Sequence, residues 1–159
     1  DIDLNCVDIS QDRIKMLNKE LSSLNLKIDL YSNLDQVDKT TDILLVDAYG
    51  ENFKFFNLSK SVFLGGSLIK HGGQNPIEPS RFGCKIFHGP NIDNFTEIYN
   101  YLESLGISRP IVDHEELVGS LTKEFELDKT SNQIVEKIEN YGQNVLNNVI
   151  KDLKKYIST

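Results

Sequence analysis

The segment from Ser61 to Pro90 constrains the fold more than any other part of the chain. It holds six of the ten glycines and three of the four prolines. These residues cluster where the backbone takes unusual dihedral angles or approaches another group closely. The segment opens with the apolar run Val62 to Leu64, turns at Gly65-Gly66, and continues through a polar loop to a helix predicted from about Pro76. A strand that leads through a glycine loop into a helix is how many α/β proteins hold phosphates and sugars.

Apolar runs alternate with helical periodicity along the whole chain. The run Ile-Leu-Leu-Val within Asp42 to Asp47 is typical of a central parallel strand, which is buried on both faces. The alternation predicts an α/β fold with a Rossmann-like parallel sheet and helices on both faces, built as a single domain over residues 1–159. The predicted strands are residues 2–7, 27–31, 42–47, 61–64, 85–87 and 109–112. The predicted helices are one after Ser10, then 50–58, 76–83, 93–105 and 113–126, and a helical segment over 130–157.

Local patterns add detail to two of these helices. Ser10 is expected to be the N-cap of the first helix, whose apolar stripe is Ile14, Leu17, Leu21 and Leu24. Residues 130–157 are expected to form one long helix or two consecutive helices broken near Tyr141-Gly142.

Composition and charge exclude several classes of function. The formal net charge is −7, which argues against a nucleic-acid partner, because binding to a phosphate backbone requires basic patches. The two cysteines, Cys6 and Cys84, have no metal-ligand spacing, and neither a metal nor a cofactor is expected. No apolar run approaches the roughly 20 residues of a membrane span, and no export segment is seen. A cytoplasmic location is therefore predicted.

Two glycine pairs are candidates for contact with an anionic ligand. Gly65-Gly66-Ser67 lies where a strand gives way to a loop, so its backbone and the Ser67 hydroxyl are candidates for contacts to phosphate or sugar oxygens; a tight turn without a ligand is the alternative. Gly72-Gly73 precedes a predicted helix, where free N–H groups form anion-binding concavities. His71 has no partner that suggests a metal site.

The start of the predicted helix at Pro76 has its own pattern. Asn75 is expected to be the N-cap, Pro76 the first helical residue, and Glu78 the third. Asn-x-x-Glu resembles a capping box, so Glu78 is expected either to close the helix end or to face a ligand.

These motifs resemble those of a known enzyme family. Val-Phe-Leu-Gly-Gly-Ser-Leu at 62–68 and His-Gly-Gly-Gln-Asn-Pro-Ile-Glu-Pro at 71–79 are similar to segments of the bacterial 3-deoxy-D-manno-octulosonic acid (Kdo) transferases. The resemblance extends to Asp-Ala-Tyr-Gly-Glu at 47–51, to Gly89-Pro90 and to Asn94-Phe95, and covers about residues 40–107.

The resemblance implies a function and a set of site residues. It implies the C-terminal, donor-binding half of a two-domain GT-B glycosyltransferase that moves Kdo from CMP-Kdo to the lipid A precursor. We then expect an N-terminal domain, absent from this chain, to provide the general base, the acceptor groove and any contact with the cytoplasmic face of the inner membrane. The chain by itself is expected to be inactive. The helical segment 130–157 is expected to cross back to that domain or to pack on its own sheet. Glu78 is expected to bind the ribose hydroxyls, and Asn94 either the ligand or a helix end. The implied donor-binding residues are Gly50, Glu51, Gly65, Gly66, Ser67, His71, Gly72, Gly73, Asn75, Glu78 and Asn94.

The chain departs from the family pattern near its start. Family members usually carry a Pro-Arg-His-type segment after the first strand of this half, whereas this chain has Cys-Val-Asp-Ile-Ser at 6–10. Three alternatives stay open: a UDP-sugar transferase or epimerase domain, a non-catalytic nucleotide-binding module, and a receiver-like signalling domain phosphorylated on Asp47. A Walker-type nucleotidase is excluded because the chain lacks Gly-x-x-x-x-Gly-Lys-Ser/Thr.

Overall fold

The protein is described by a computed structural model, which covers residues 4–7, 10–21, 23–33, 38–124 and 130–157. The chain comprises two compact units, Asp1–Leu58 and Ser59–Thr159, which are described separately below. The assignment of the whole chain to one nucleotide-sugar-binding domain stays a prediction.

The first unit is a small parallel α/β layer structure. Its three strands have the order β1-β3-β2, so that β3 is central, as the Ile-Leu-Leu-Val run predicted. The elements in chain order are β1 (Leu4–Val7), α1 (Gln11–Leu21), β2 (Ile28–Leu30), β3 (Ile43–Val46) and α2 (Asn52–Leu58), with a 3-10 turn at Tyr31–Asn33.

Strand β3 places helices on both faces of this sheet. All four of its residues are buried. Its odd-numbered residues pack with Ile14 of α1, while its even-numbered residues pack with Phe55 of α2. Successive side chains of a strand point to opposite faces, so a strand covered by a helix on each side has no polar face.

Helix α1 confirms most of the expected pattern. The backbone N–H of Arg13 donates to the hydroxyl of Ser10 at 3.4 Å, as expected of an N-cap serine. Leu17 and Leu21 pack against the cluster around Ile14. The prediction for Leu24 is wrong: the helix ends at Leu21, and Leu24 is exposed.

The second unit contains the other parallel sheet, of order β4-β5-β6. One core cluster lies on one face of this sheet, where Ile86 and Leu64 pack with Tyr99 and Leu102 of α4 and with Ile138 of α6. Phe87, on the opposite face of β5, is also buried. The elements in chain order are β4 (Ser61–Leu64), α3 (Ile77–Arg81), β5 (Lys85–His88), α4 (Thr96–Ser104), β6 (Ser108–Pro110), α5 (His114–Glu124) and α6 (Asn132–Ile157), with a 3-10 turn at Asp93–Phe95.

Helix α6 is a single uninterrupted helix of 26 residues. Of the two alternatives expected for residues 130–157, the single long helix is confirmed and the break near Tyr141-Gly142 is not found. Gly142 is exposed and has helical backbone, and a lone glycine lowers helix stability without ending the helix. The beginning of α6 packs on the core through Ile134 and Ile138, whereas every residue from Gly142 to Ile157 is exposed.

The remaining differences are at element ends. Strand β6 begins one residue earlier than predicted and ends at Pro110, although the N–H of Ile111 still donates to the carbonyl of His88 at 2.8 Å. The last two residues of the predicted helix 113–126 lie outside the described residues, as do the first two of the predicted strand 2–7. None of the helices in the described ranges combines the length and hydropathy needed to cross a bilayer.

Two glycines test the backbone of this unit. Gly142 and Gly106 both have open space where a Cβ would be added, but Gly106 has φ of +73° after the end of α4, whereas Gly142 does not have a positive φ. We expect Gly142→Ala to raise the free energy of unfolding by about 0.5–1 kcal/mol, because alanine is the better helix former. Gly106→Ala should lower it by about 1–2 kcal/mol, because a side chain is strained at positive φ.

Urea unfolding of the two variants and the wild type measures both effects. If Gly142→Ala lowered the free energy of unfolding as much as Gly106→Ala does, α6 would not be continuous through Gly142.

Candidate functional site

Two loops of the second unit begin side by side. Leu64 and His88 are paired in register at the carboxyl ends of the parallel neighbours β4 and β5. The β4–α3 loop (residues 65–76) and the β5–α4 loop (residues 89–95) follow these two strands. The carboxyl edge of a parallel sheet is where α/β proteins bind ligands. Nine of the eleven predicted donor-binding residues lie in these loops and in the first turn of α3.

Ser67 joins the two loops and is fully buried. Its hydroxyl donates to the carbonyl of Leu64 at 2.6 Å and accepts from the N–H of Gly89 at 2.8 Å. Its carbonyl accepts from the backbone N–H of Asn91 at 2.9 Å and from the Asn91 side chain at 3.0 Å. The hydroxyl is thus already engaged within the protein, and contact of Ser67 with a ligand stays a prediction.

Gly89 is a glycine because the loops approach so closely at this point. A Cβ added there would lie 2.3 Å from the carbonyl oxygen of Ser67 and 2.5 Å from the N–H nitrogen of Leu68. Real Cβ atoms do not come so near to backbone, so any side chain at residue 89 would push the loops apart. The resemblance to the Kdo transferases included Gly89-Pro90, but it did not show that Gly89 contacts Ser67.

The loops also meet further out, at residues the sequence predicted. Asn94 lies against Gly72, since a Cβ on Gly72 would be 2.5 Å from the Asn94 side-chain nitrogen. Within the β4–α3 loop, the ring of His71 lies against Gly66, since a Cβ on Gly66 would be 3.2 Å from the His71 ring. Asn94 does not cap a helix: neither the 3-10 turn at Asp93–Phe95 nor α4 has a side-chain cap. Asn94 and His71 are both exposed at this edge.

Gly72 and Gly73 both have positive φ angles, and their role in an anion-binding loop stays a prediction. Their φ angles are +91° and +73°. Their N–H groups donate to no acceptor within the described residues. Consecutive amides in such a conformation form a concavity with partial positive charge. Glycine is needed at both positions, because L side chains rarely adopt these angles.

The start of α3 leaves Glu78 without a structural task. The side-chain oxygen of Asn75 accepts from the N–H of Ile77 at 3.0 Å, which satisfies one of the free amides of the first turn. The helix begins one residue later than predicted, at Ile77. Glu78 is exposed and forms no hydrogen bond or ion pair with the described residues, so the capping-box alternative is not realised.

A buried aromatic pair beneath the loops was missed by the sequence analysis. The hydroxyl of Tyr99 donates to the carbonyl of Gln74 at 2.9 Å, and its ring lies 4.2 Å from that of His88. Nδ1 of His88 is 2.8 Å from the carbonyl of Gly89; a carbonyl only accepts, so Nδ1 carries the proton. Burial lowers the pKa of His88 and raises that of Tyr99, which keeps both side chains neutral.

The signal for this pair was present but ambiguous. His88 comes directly after the predicted strand 85–87 and two residues after Ile86, and Tyr99 lies three residues before Leu102 on a predicted helix. Alternation and helical spacing predict burial for both positions, but they do not show which buried side chains meet.

The other two predicted donor residues, Gly50 and Glu51, belong to the first unit. Gly50 has φ of +81°, and Glu51 forms an ion pair with Lys54. The hydrogen bond to Glu51 raises the pKa of Lys54. Contact of either residue with a ligand stays a prediction.

The receiver-like alternative has little support in the first unit. The carboxylate of Asp47 accepts hydrogen bonds from the backbone N–H of Ser32 at 3.0 Å and from its hydroxyl at 2.7 Å, and so fixes the 3-10 turn. Asp8, the other acidic residue of that alternative, lies outside the described residues, as does Ile9 of the atypical segment 6–10.

Comparison with known proteins shows that the chain is similar in sequence to part of several bacterial transferases. The chain is 31% identical over 109 residues to the 3-deoxy-D-manno-octulosonic acid transferase of Haemophilus influenzae, covering 69% of this chain. It is 30% identical over 143 residues to the enzyme of the same name from Rickettsia bellii, covering 90% of this chain. The predicted resemblance to Kdo transferases is confirmed. The chain spans 25% and 33% of the lengths of these two relatives, and no family model matches it.

A solved structure has the same fold. The chain aligns with a crystal structure of the C-terminal CMP-Kdo binding domain of WaaA from Acinetobacter baumannii at a TM-score of 0.69. The alignment covers 86% of this chain and 71% of the other, with 24% sequence identity. The predicted α/β class, parallel sheets flanked by helices, is thereby confirmed.

Ser67 provides a test of the junction between the loops. Ser67→Ala should lower the free energy of unfolding by about 1–3 kcal/mol, because the buried N–H of Gly89 loses its acceptor. Ser104→Ala is the matched control: its hydroxyl also bonds a carbonyl, but it is exposed, and we expect a change within about 0.5 kcal/mol. Urea unfolding measures both, and similar values for the two variants would contradict the bracing role.

His88 predicts a dependence of stability on pH. Its pKa in the folded protein is below the ordinary value of 6.5, so the unfolded chain binds this proton more readily. Stability from this group should be constant above about pH 6.5 and fall below it, by at most about 1.4 kcal/mol per pH unit. Unfolding of the wild type and of His88→Phe between pH 7.5 and about 5.5 measures the effect. An equally steep fall in the variant would exclude His88 as its source.

Proposed function

We propose that this chain is the donor-binding part of a Kdo transferase and that CMP-Kdo binds at the carboxyl edge of β4 and β5. The proposal rests on the two enzyme relatives and on the likeness of fold to a domain described as binding CMP-Kdo. One observation carries it: the motif residues of two separate loops meet at one edge, where Asn94 of the β5–α4 loop lies against Gly72 of the β4–α3 loop.

The geometry suits a nucleotide with one phosphate. The free N–H groups of Gly72 and Gly73 are suitable donors for phosphate oxygens. They carry no formal charge and so act locally even in a chain whose net charge is −7. Amides held in place before the reaction stabilise the negative charge that develops on a departing CMP.

Glu78 is the proposed contact to the ribose. It is exposed in the first turn of α3, close in sequence to the glycine pair, and the described residues leave its carboxylate free. A carboxylate has enough lone pairs to accept from two neighbouring hydroxyls.

The complete reaction needs more than this chain. Transfer of Kdo to the lipid A precursor requires a base that removes the proton from the acceptor hydroxyl. We assign the base and the acceptor site to the part of a full-length enzyme outside this sequence, at the cytoplasmic face of the inner membrane. By itself the chain is expected to bind the donor without turning it over.

Titration of the chain with CMP, and with UMP and UDP as controls, tests the proposal. Calorimetry or NMR should show saturable binding of CMP that exceeds binding of the uridine nucleotides. Preference for UDP would instead favour a UDP-sugar enzyme. Absence of binding at millimolar CMP, in both this chain and a full-length protein that contains it, would overturn the proposal.

A matched pair of variants tests Glu78. Glu78→Ala should weaken CMP binding by about tenfold or more, because hydrogen bonds to a charged group contribute about 1.5–3 kcal/mol. Glu115→Ala is the control, since Glu115 is also an exposed glutamate in the first turn of a helix, α5. Both variants lose the same interaction with the helix dipole, so their unfolding midpoints should agree. Equal CMP affinity in the two would remove Glu78 from the site.

A further inference from the structure

His88 and Tyr99 connect the two loops from below. Both side chains are buried, with exposed fractions of 3% and 1%. Tyr99 reaches the β4–α3 loop through the carbonyl of Gln74, which stands between Gly73 and Asn75. His88 reaches the β5–α4 loop through the carbonyl of Gly89.

The contact between the two rings completes the connection. Their centroids are 4.2 Å apart and their planes are inclined by 45°. The Tyr99 hydroxyl, the two tilted rings and the Gly89 carbonyl thus form a continuous line of contacts from Gln74 to Gly89. The Ser67 junction joins the same loops at the sheet edge through its hydroxyl and its carbonyl, and it shares Gly89 with this path.

The surroundings make this arrangement costly to distort. Nε2 of His88 is buried and has no hydrogen-bond partner within the described residues. A buried polar atom without a hydrogen-bond partner does not stabilise the fold. The ring is kept in place by the bond from Nδ1 to Gly89 and by the contact with the ring of Tyr99. An aliphatic side chain would fill the same space without an unpaired nitrogen, so packing alone does not account for a histidine here.

We propose that His88 and Tyr99 form a buried brace that sets the distance between the two donor-binding loops, and that both are positioning residues for the nucleotide. The proposal rests on the donor-binding function proposed above. Neither side chain reaches the ligand; each acts by fixing one carbonyl, and through it the amides of the neighbouring glycines.

Tyr99→Phe removes only the hydroxyl that holds Gln74 and keeps the ring on His88. Tyr141→Phe is the matched control, because the ring of Tyr141 also contacts an aromatic ring, that of Tyr101. Its hydroxyl also donates a hydrogen bond, to Glu97. Tyr99→Phe is expected to raise the Kd for CMP about three- to tenfold, which corresponds to the loss of one hydrogen bond. Tyr141→Phe should leave that Kd unchanged.

His88→Phe tests the other end of the brace, because it keeps an aromatic ring and removes the Nδ1 donor. It should weaken CMP binding to a similar extent. Unfolding midpoints establish that each variant is folded. If both variants bind CMP as tightly as the wild type, the brace has no role in binding and the proposal is overturned.

Amide hydrogen exchange separates the brace from donor binding. Ile77 reports on the β4–α3 loop, through its bond to Asn75, and Phe95 reports on the β5–α4 loop, through its bond to the carbonyl of Ile92. A brace requires that Tyr99→Phe and His88→Phe each speed exchange at both amides, relative to Tyr141→Phe. Response of only the directly attached loop shows two independent contacts and overturns the proposal. This result is read without ligand, so failure of the wild type to bind CMP would count against the proposed function alone.

Discussion

The candidate site depends on the contact between Ser67 and Gly89. One buried hydroxyl accepts the N–H of Gly89, and the neighbouring backbone leaves no room for a Cβ at that residue. This contact brings together two loops whose sequences are unrelated to each other, and it does so at the edge where parallel strands present ligand sites. Without it, His71 and Gly72 would have no fixed position relative to Asn94.

Backbone amides, more than charged side chains, give this site its suitability for an anion. Charged side chains would have to be ordered on binding, which costs conformational entropy, whereas the Gly72 and Gly73 amides are fixed by the loop. In the proposed function, the acidic chain holds a phosphate through a local potential that arises from these dipoles. Glu78 is then the proposed contact to the ribose hydroxyls.

Much of the fold was accessible from sequence, because strand burial and helix periodicity are local properties. The buried apolar run of β3, the turn at Gly65-Gly66 and the end of α4 before Gly106 were predicted for that reason. The Ser67–Gly89 bond was not, since its partners are 22 residues apart and meet only through the register of β4 and β5. The His88–Tyr99 pair was missed for the same reason. Whether α6 continues through Gly142 was left open, because a single glycine weakens a helix but does not always end it.

Helix α6 has a mechanical consequence for the second unit. Its first turns are clamped to the core through Ile138, in the same cluster as Ile86 and Tyr99, while residues 142–157 project free of it. At 1.5 Å per residue the free part is about 24 Å long, and an unbroken helix of that length bends little. A force applied near Ile157 would therefore be transmitted along the helix to Ile138. Ile138 packs in the same cluster as Tyr99, whose hydroxyl holds the carbonyl of Gln74.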